Sequence, residues 1–415
     1  MDYRSKLPNL SHLAMLQRVV EAGSVSKASR IVRRSQPTMT LALRKLEAFA
    51  GAPLLERGHS GSQPTEAGWL LLARVDRLFG QLDDALLNPL VGGPIAQQER
   101  LAALRAKLSA TAMRGLIAIA EQRGVPAAAL ATGLSKPTLY RMARDLERVL
   151  GRSVFDPSSD GMVPNKIGFE LARRFNLALK EIGHALEEIA SLQGDSVSRI
   201  HIGIRRTSAT QPLSEAMEAF LNIHPKARIR IEDGAFEQMI QDLRYGRIDL
   251  IYGPLEQPHL AADVVQEALF HLPYSIVVRA GHPLTRKSRV TTKDLVSFDW
   301  IISRPGSPRR KACDALLAKS LSSPSYSIET SSTELMLTVA ANSNRIALLT
   351  TREARQHIEA GLLTTLDHAE VDGRTDDGII TRRDWRPTPV QARFVELLRK
   401  PGSVGRSLPR RRRDA

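Results

Sequence analysis

The chain is 415 residues long, 42% hydrophobic and formally +15 at pH 7, which excludes a single ordinary domain and a disordered chain and points to a polyanionic partner, nucleic acid first. A single cysteine, Cys313, excludes an internal disulfide and any multi-cysteine zinc site. No apolar run approaches the ~18 residues of a membrane span, and MDYRSKLPNLSH lacks the apolar core of a signal peptide, so a cytoplasmic protein with no membrane partner is expected.

In chain order, Leu13, Leu16 and Val20 line one face of a first helix that stops near Gly23. A short second helix spans roughly 25–32. Ser35 is then an N-cap, with Pro37 in the first turn, where a missing N–H costs little. Met39, Leu43 and Leu46 point inward at helical spacing, leaving Gln36, Thr40, Leu41 and Arg44 on the opposite face. Two short helices joined by a tight turn, the second with a polar exposed face, match a helix-turn-helix. PLLERGHSGSQPTEAG follows as a strand, a Gly/Ser-rich turn and a capped restart, the pattern of a wing. A long helix closes the unit, its Leu72, Val75, Phe79, Leu82 and Leu86 spaced 3, 4, 3 and 4 as in a coiled-coil seam.

The unit is written twice. SQPTMTLALRKLE at 35–47 returns as SKPTLYRMARDLE at 135–147, and at the same offset of one hundred Leu16 matches Leu116, Gly51 Gly151, Gly61 Gly161, Pro64 Pro164 and Gly68 Gly168, without a gap. The second closing helix keeps the seam in phase through Ala172, Phe175, Leu179, Ile182, Leu186 and Ile189. NPLVGGPIAQQ at 88–98 reads as a flexible joint. The matching seams predict that 66–88 and 168–192 pair within the chain, pairing between chains being the rival. Counting Lys and Arg against Asp and Glu gives +4 for 1–92, +3 for 93–195, +4 for 196–400 and +4 for 401–415, where Arg410 to Arg413 stand in a row; this last stretch reads as a basic disordered tail.

From residue 196 strands alternate with helices. RIHIGIR (199–205), RIRIED (228–233), DLIYG (249–253), YSIVVR (274–279), DWIIS (299–303) and RIALLT (345–350) are the predicted strands, with helices reaching about 223 and 245 between the first three. Such alternation implies a parallel-type α/β fold, here in two lobes.

Together these segments resemble the LysR-type transcriptional regulators. GSVSKASRIVRRSQPTMTLALRKLE with LLER and PTEAG carries the likeness early, and FLNIHPKARIRIED, LRYGRIDLIYGPL, VVRAGHPL and ETSSTELMLTVAANSNRIALL carry it later, over about residues 10 to 400. The resemblance implies a multidomain chain. Two tandem, mainly-α winged helix-turn-helix units with linker helices would occupy 1–91 and 92–195. A two-lobed α/β effector domain like a periplasmic binding protein would occupy 196–400, with lobes at roughly 196–272 plus 366–400 and at 273–365. The second winged unit departs from the family plan. The implied function is ligand-responsive, sequence-specific binding of double-stranded DNA by a bacterial homo-oligomer.

Carried over by position, Ser35, Gln36, Pro37, Thr38 and Thr40 begin the recognition helix, which enters the major groove in the family. Arg44 lies one turn on, and Arg57 stands where a wing residue touches backbone. Relatives usually have Arg and Gln where this chain has Leu41 and Ala42, and a basic residue where it has Ser60. The second copy offers Ser135, Lys136, Pro137, Thr138, Tyr140, Arg141 and Arg144, with Arg141 restored where the first has Leu41. Its wing has Pro157 in place of Arg57, and Asp156 and Asp160 would repel phosphate. In the effector domain the family places its ligand between the lobes, which makes Thr207, Ser208, Ser303, Ser307, Thr330, Ser331 and Ser332 the candidate contacts, as strand-end and helix-capping hydroxyls. Arg205, Arg206, Arg304 and Arg309 nearby would suit a carboxylate. TRRDWRPTP within 375–400 is similar to members that govern sugar uptake or protocatechuate breakdown, so a carboxylate or sugar catabolite is the expected effector. Where the family has a glycine-rich turn before its late strand this chain has AANSNRIALL, with Asn342 and Asn344 expected to supply a left-handed turn.

Enzyme signatures are absent: no phosphate loop, no HExxH, no glycine-framed serine elbow and no dinucleotide fingerprint. Ser24 and Lys27 match a Ser/Lys nucleophile spacing but sit on the second helix of the first unit without companion motifs. The ten histidines are scattered without ligand spacing, so neither metal nor cofactor is expected. A second reading stays open on sequence alone, a small-molecule-binding or scaffold protein whose winged units serve assembly only.

Overall fold

In the computed structural model, which describes residues 7–58, 61–87, 98–159, 161–194, 198–205, 210–255, 261–318, 325–368, 371 and 373–400, each early element starts and stops on a local signal. Helix α1 (Leu10–Ala22) is capped by Asn9 and ends at Gly23 in the left-handed region (φ 70°). Ser24 caps α2 (Val25–Ile31) by accepting from the Lys27 N–H, which is the role of the Ser/Lys pair. Ser35 caps α3 (Gln36–Ala50), with Pro37 in its first turn and Gly51 closing it. Strands β1 (Leu55–Gly58) and β2 (Gly61–Pro64) form an antiparallel hairpin before α4 (Glu66–Leu87). One expectation shifts: Val19, not Val20, joins Leu10, Leu13 and Leu16 in the core, because the buried stripe of α1 advances in steps of three and leaves Val20 half-buried.

After α5 (Gln98–Lys107) the same order returns: α6 (Ala110–Gln122), α7 (Val125–Thr132), α8 (Lys136–Leu150), β3 (Phe155–Ser158), β4 (Gly161–Pro164) and α9 (Lys166–Leu192). The repeated letters explain themselves. Ser135 caps α8 as Ser35 caps α3, and each serine hydroxyl pairs with a threonine one turn on, Thr38 or Thr138. Glu47 and Glu147 reach from these helices to the chain entering the hairpin, accepting from the N–H of Leu54 (3.1 Å) and of Val154 (2.9 Å). Gly68 and Gly168 pass so close to the Leu54 and Val154 carbonyls that an added Cβ would fall 2.1 Å from either oxygen. Both halves share one continuous core running from Leu10 to Ile189, in which α4 packs along α9. The seam residues Leu72, Val75, Phe79, Leu82 and Leu86 are buried, as are Ala172, Phe175, Leu179, Ile182 and Ile189; Leu186 is half-buried. The joint at 88–98, apart from Gln98, lies outside the described residues.

The chain divides between Ser198 and Arg199 into two compact units. The second unit continues with β5 (Arg199–Ile204), α10 (Gln211–Ile223), β6 (Arg228–Asp233), α11 (Phe236–Tyr245), β7 (Leu250–Pro254) and β8 (Val264–Arg279). It then runs through α12 (Thr292–Val296), β9 (Trp300–Ile302), α13 (Pro308–Leu317), β10 (Tyr326–Glu329), α14 (Thr333–Ala341), β11 (Ile346–Thr350), α15 (Thr351–Glu359), β12 (Leu363–Leu366), β13 (Arg374–Arg382) and α16 (Pro389–Arg399). Strand β5 pairs parallel with β6 and β7, and β9 pairs parallel with β10 and β11. The sheet is nonetheless mixed, because β8, β12 and β13 pair antiparallel.

Strand β8 is also far longer than the expected 274–279. Residues 264–273 pair with β13 and residues 274–279 with β11 and β12, so one strand serves both lobes and Pro273 sits next to the change of partner. Separate cores form on either side, one around Phe220 and Phe394 and one around Trp300 and Ile276. The expected left-handed turn at Asn342 and Asn344 is not there: among the described residues only Arg33 and Arg123 combine a side chain with positive φ. Side chains hold that turn instead. The Ser343 hydroxyl accepts from the Arg345 N–H, and the Asn344 oxygens take His282 Nε2 and Arg279 Nε.

Candidate functional site

Two places in the molecule collect the predicted residues. On α3 Gln36, Pro37, Thr38, Leu41, Arg44, Lys45 and Ala48 are exposed, with Thr40 half-buried and Met39, Ala42, Leu43 and Leu46 turned inward. On α8 the pattern is nearly the same: Lys136, Pro137, Arg141 and Arg144 are exposed, Thr138 and Tyr140 half-buried, and Leu139, Met142, Ala143 and Leu146 buried. Ser35 and Ser135 are exposed, but their hydroxyls are engaged in capping. Among the described residues no carboxylate pairs with Arg44, Arg141 or Arg144, so all three guanidinium groups remain available. Tyr140 differs from the sequence expectation, because its hydroxyl lies against the β3–β4 hairpin, 1.9 Å from where a Cβ on Gly161 would stand. The Arg57 side chain, Ser60 and Asp160 lie outside the described residues; Pro157 and Asp156 are exposed on β3.

The second place is a cavity of about 200 Å³ in the C-terminal unit. Its walls come from the C-terminal ends of β5 and β7 and the residues just past them (Arg205, Pro254, Leu255), from the cap and start of α13 (Ser307, Pro308, Arg309) and from Tyr274, Ser303, Arg304, Ser331, Glu353 and Thr375. Of the predicted contacts, Ser303, Ser307 and Ser331 line it. Thr330 and Ser332 do not; their hydroxyls accept from the N–H groups of Ser332 and Leu335, as turn and helix caps. Thr207 and Ser208, with Arg206, lie outside the described residues.

Charge in the cavity is dominated by arginine. Arg205 stacks over Phe236 at 4.4 Å and donates to the Pro254 carbonyl. Arg309 is only 8% exposed and donates through Nη2 to Glu353 at 2.5 Å, while its Nε has no hydrogen-bond partner. Glu353, also the N3 residue of the α15 capping box, is the one carboxylate in the lining. Helix α13 presents its N-terminus, which carries partial positive charge. Burial pushes the Tyr274 hydroxyl up to about 12, against the opposite pull of Arg309, so it stays a proton donor at neutral pH. Tyr274, Thr375 and Glu353 were missed in the sequence. Thr375 sits on β13, which was not among the expected strands, Tyr274 stands first in the expected strand 274–279, and the capping box around Glu353 was the one local signal. Cys313 is buried one turn into α13 and its thiol is pushed up to about 12 by burial, so it carries no thiolate chemistry.

Exposed, polar-faced second helices beside hairpins, and a two-lobed α/β unit enclosing a cationic cavity, define a ligand-responsive DNA-binding regulator. Residues 10–69 match the bacterial regulatory helix-turn-helix proteins of the lysR family, and residues 193–401 match the LysR substrate binding domain. The chain belongs to the LysR family of transcriptional regulators; it is not an enzyme. It is 27% identical over 396 residues to the HTH-type transcriptional regulator GalR of Pseudomonas putida, covering 95% of this chain and 98% of that one. GbpR of Rhizobium radiobacter is 29% identical over 244 residues, 57% of this chain and 79% of its own. The match to GalR runs through much of 70–192, which neither family covers. Among solved structures, full-length OxyR of Pseudomonas aeruginosa is 21% identical with a TM-score of 0.49, covering 70% of this chain and 92% of that one. Among the described residues no helix is long and apolar enough to cross a membrane, and no cluster of His, Cys, Asp and Glu could hold a metal.

Proposed function

We propose that this regulator reads double-stranded DNA through two winged helix-turn-helix units, residues 1–91 and 92–195, and takes a small carboxylate effector between the lobes of residues 196–400, working as a cytoplasmic homo-oligomer. Gln36, Leu41 and Arg44 present one reading face, with Arg57 on its wing; Lys136, Arg141 and Arg144 present the other. Ser35, Thr38, Ser135 and Thr138 fix the starts of these helices, and Pro37 and Pro137 occupy their first turns. Support for the second face comes from its matching burial pattern and its unpaired arginines.

The observation that carries the effector class is the arginine lining of the cavity, Arg205, Arg304 and Arg309 against the single carboxylate of Glu353. A carboxylate ligand suits that excess of positive charge, and the α13 N-terminus adds to the attraction. Ser303, Ser307 and Ser331 supply neutral contacts, and Thr207 and Ser208 complete the set proposed from the family. The ligand acts through its different affinity for two arrangements of the lobes.

Calorimetric titration of the full-length protein with aromatic and sugar carboxylates, and with the matching amides, tests this. Acids should bind and amides should not. Arg309→Gln and the milder Arg304→Gln should each weaken binding, the former by roughly 30-fold, as for loss of a charged hydrogen bond, with operator affinity in the absence of ligand unchanged. Equal affinity for acid and amide overturns the assignment.

A further inference from the structure

We propose that α4 and α9 are a linker-helix pair contained in one chain and keyed by Arg74, so that a single polypeptide presents two unlike reading heads to an asymmetric operator. The inference rests on the reading of residues 92–195 as a second DNA-binding unit.

The key is buried. Arg74 is 6% exposed, and it donates to Glu181 at 2.9 Å and through Nε to Glu188 at 3.1 Å; both glutamates lie on α9 and are buried too. Arg77 adds a second donor to Glu181 at 3.0 Å. Going up α4 from Arg74 to Arg77 moves the partner down α9 from Glu188 to Glu181, so the helices run antiparallel. Two guanidiniums meet two carboxylates, and the buried charge balances.

The hundred-residue repeat shows what another pairing would do. The counterpart of Glu181 on α4 is Gln81; that of Glu188 is Asn88, which lies past the helix end at Leu87 and outside the described residues. Were two copies of α4 from different chains to pair in this register, each Arg74 would face the Gln81 amide where α9 offers the Glu181 carboxylate. Leaving a buried charge without its partner is among the costliest changes a core can suffer. The polar residues therefore select α4 with α9 over α4 with α4. Selection of one partner by charges placed against the alternative is a familiar route to pairing specificity.

The joined heads are not alike. Exposed Gln36 and Leu41 of the first correspond to exposed Lys136 and Arg141 of the second, while Arg44 and Arg144 are shared. An apolar side chain suits a thymine methyl, and arginine suits guanine O6 and N7. The operator is therefore two half-sites with unlike sequence, spaced by about 34 Å or a multiple of it.

Two measurements on the full-length protein decide the matter. Selection from a random duplex pool, followed by footprinting, should return two adjacent, unlike half-sites, and Arg141→Leu should weaken one of them about tenfold while sparing the other. Recovery of a palindrome overturns the inference alone; protection of a single half-site overturns it together with the second DNA-binding unit. The second measurement separates pairing within the chain from pairing between chains. Arg74→Glu should lower operator affinity at least about tenfold, and Glu188→Arg in the same chain should restore it. Mixing Arg74→Glu chains with separate Glu188→Arg chains should restore nothing. Rescue in the mixture means that the helices pair between chains, and the proposal falls.

Discussion

At residue 61 an added Cβ would meet the Gly23 carbonyl oxygen at 2.2 Å; at the equivalent residue 161 it would meet the Tyr140 hydroxyl at 1.9 Å. In the first half of the N-terminal unit the hairpin is fastened by backbone, the Ser62 N–H donating to the same Gly23 carbonyl at 2.9 Å. In the second, a side chain from the exposed helix stands beneath the hairpin. Where an added Cβ would meet main chain it has nowhere to go, whereas a side chain in its path can give way.

The largest effects should fall where that contrast vanishes. Gly68→Ala and Gly168→Ala each drive a Cβ into a carbonyl oxygen, and each should cost roughly 3 kcal/mol in urea denaturation. Gly61→Ala and Gly161→Ala should then separate. Both suffer positive φ (122° and 112°), but only the first also meets backbone. We expect about 3 kcal/mol for Gly61→Ala and about 1–2 for Gly161→Ala, where Tyr140 can swing aside. Equal losses would mean that Tyr140 does not bound the second hairpin.

The glutamate latches sharpen the comparison at a smaller scale. Glu47 accepts from one N–H, that of Leu54, whereas Glu147 accepts from Val154, Phe155 (3.2 Å) and the Ser153 hydroxyl (2.9 Å). The first half cannot match this, since Pro53 replaces Ser153. Glu147→Gln should therefore cost about 2 kcal/mol and Glu47→Gln about 1, read from denaturation midpoints. A larger loss for Glu47→Gln would reverse the ranking and discredit the hydrogen-bond count.

These contrasts also mark what could be read from the letters. SQPT and SKPT gave the helix starts, because a cap, a proline and a 3.6-residue period are signals a few residues long. The seams on α4 and α9 were legible for the same reason. Strand β8 was not, since its first ten residues are held by β13, about a hundred positions later, and VVQEALFHLP has no clean alternation to betray it. Thr375 went unseen with β13, whereas Tyr274 opened the expected strand 274–279 with nothing local to say that it faced a cavity. The serines of the cavity were found in part: Ser303, Ser307 and Ser331 reach the lining, while Thr330 and Ser332 turn back to cap their own backbone. A hydroxyl before a helix announces a cap, and nothing local says whether it also faces a cavity.

The smallest effect we expect is a difference in acid sensitivity. Burial works against ionisation of Glu170, yet Arg173 and Arg174, each at 2.7 Å, hold its carboxyl down at about 2, below the ordinary 4.5. A carboxyl lowered on folding contributes stability that is complete above pH 4.5 and fades as pH falls towards 2. The first half has Leu70 at that place, and Arg74, the counterpart of Arg174, is already committed to Glu181 and Glu188. Glu170→Gln should therefore melt below the wild type at pH 6, by roughly 1 kcal/mol for a pair near the surface, and the gap should close on titration to pH 2. Leu70→Glu should not create the same pH dependence, because no free guanidinium waits for it. A gap between wild type and Glu170→Gln that stays constant from pH 6 to pH 2 would show that the side chain matters for packing alone.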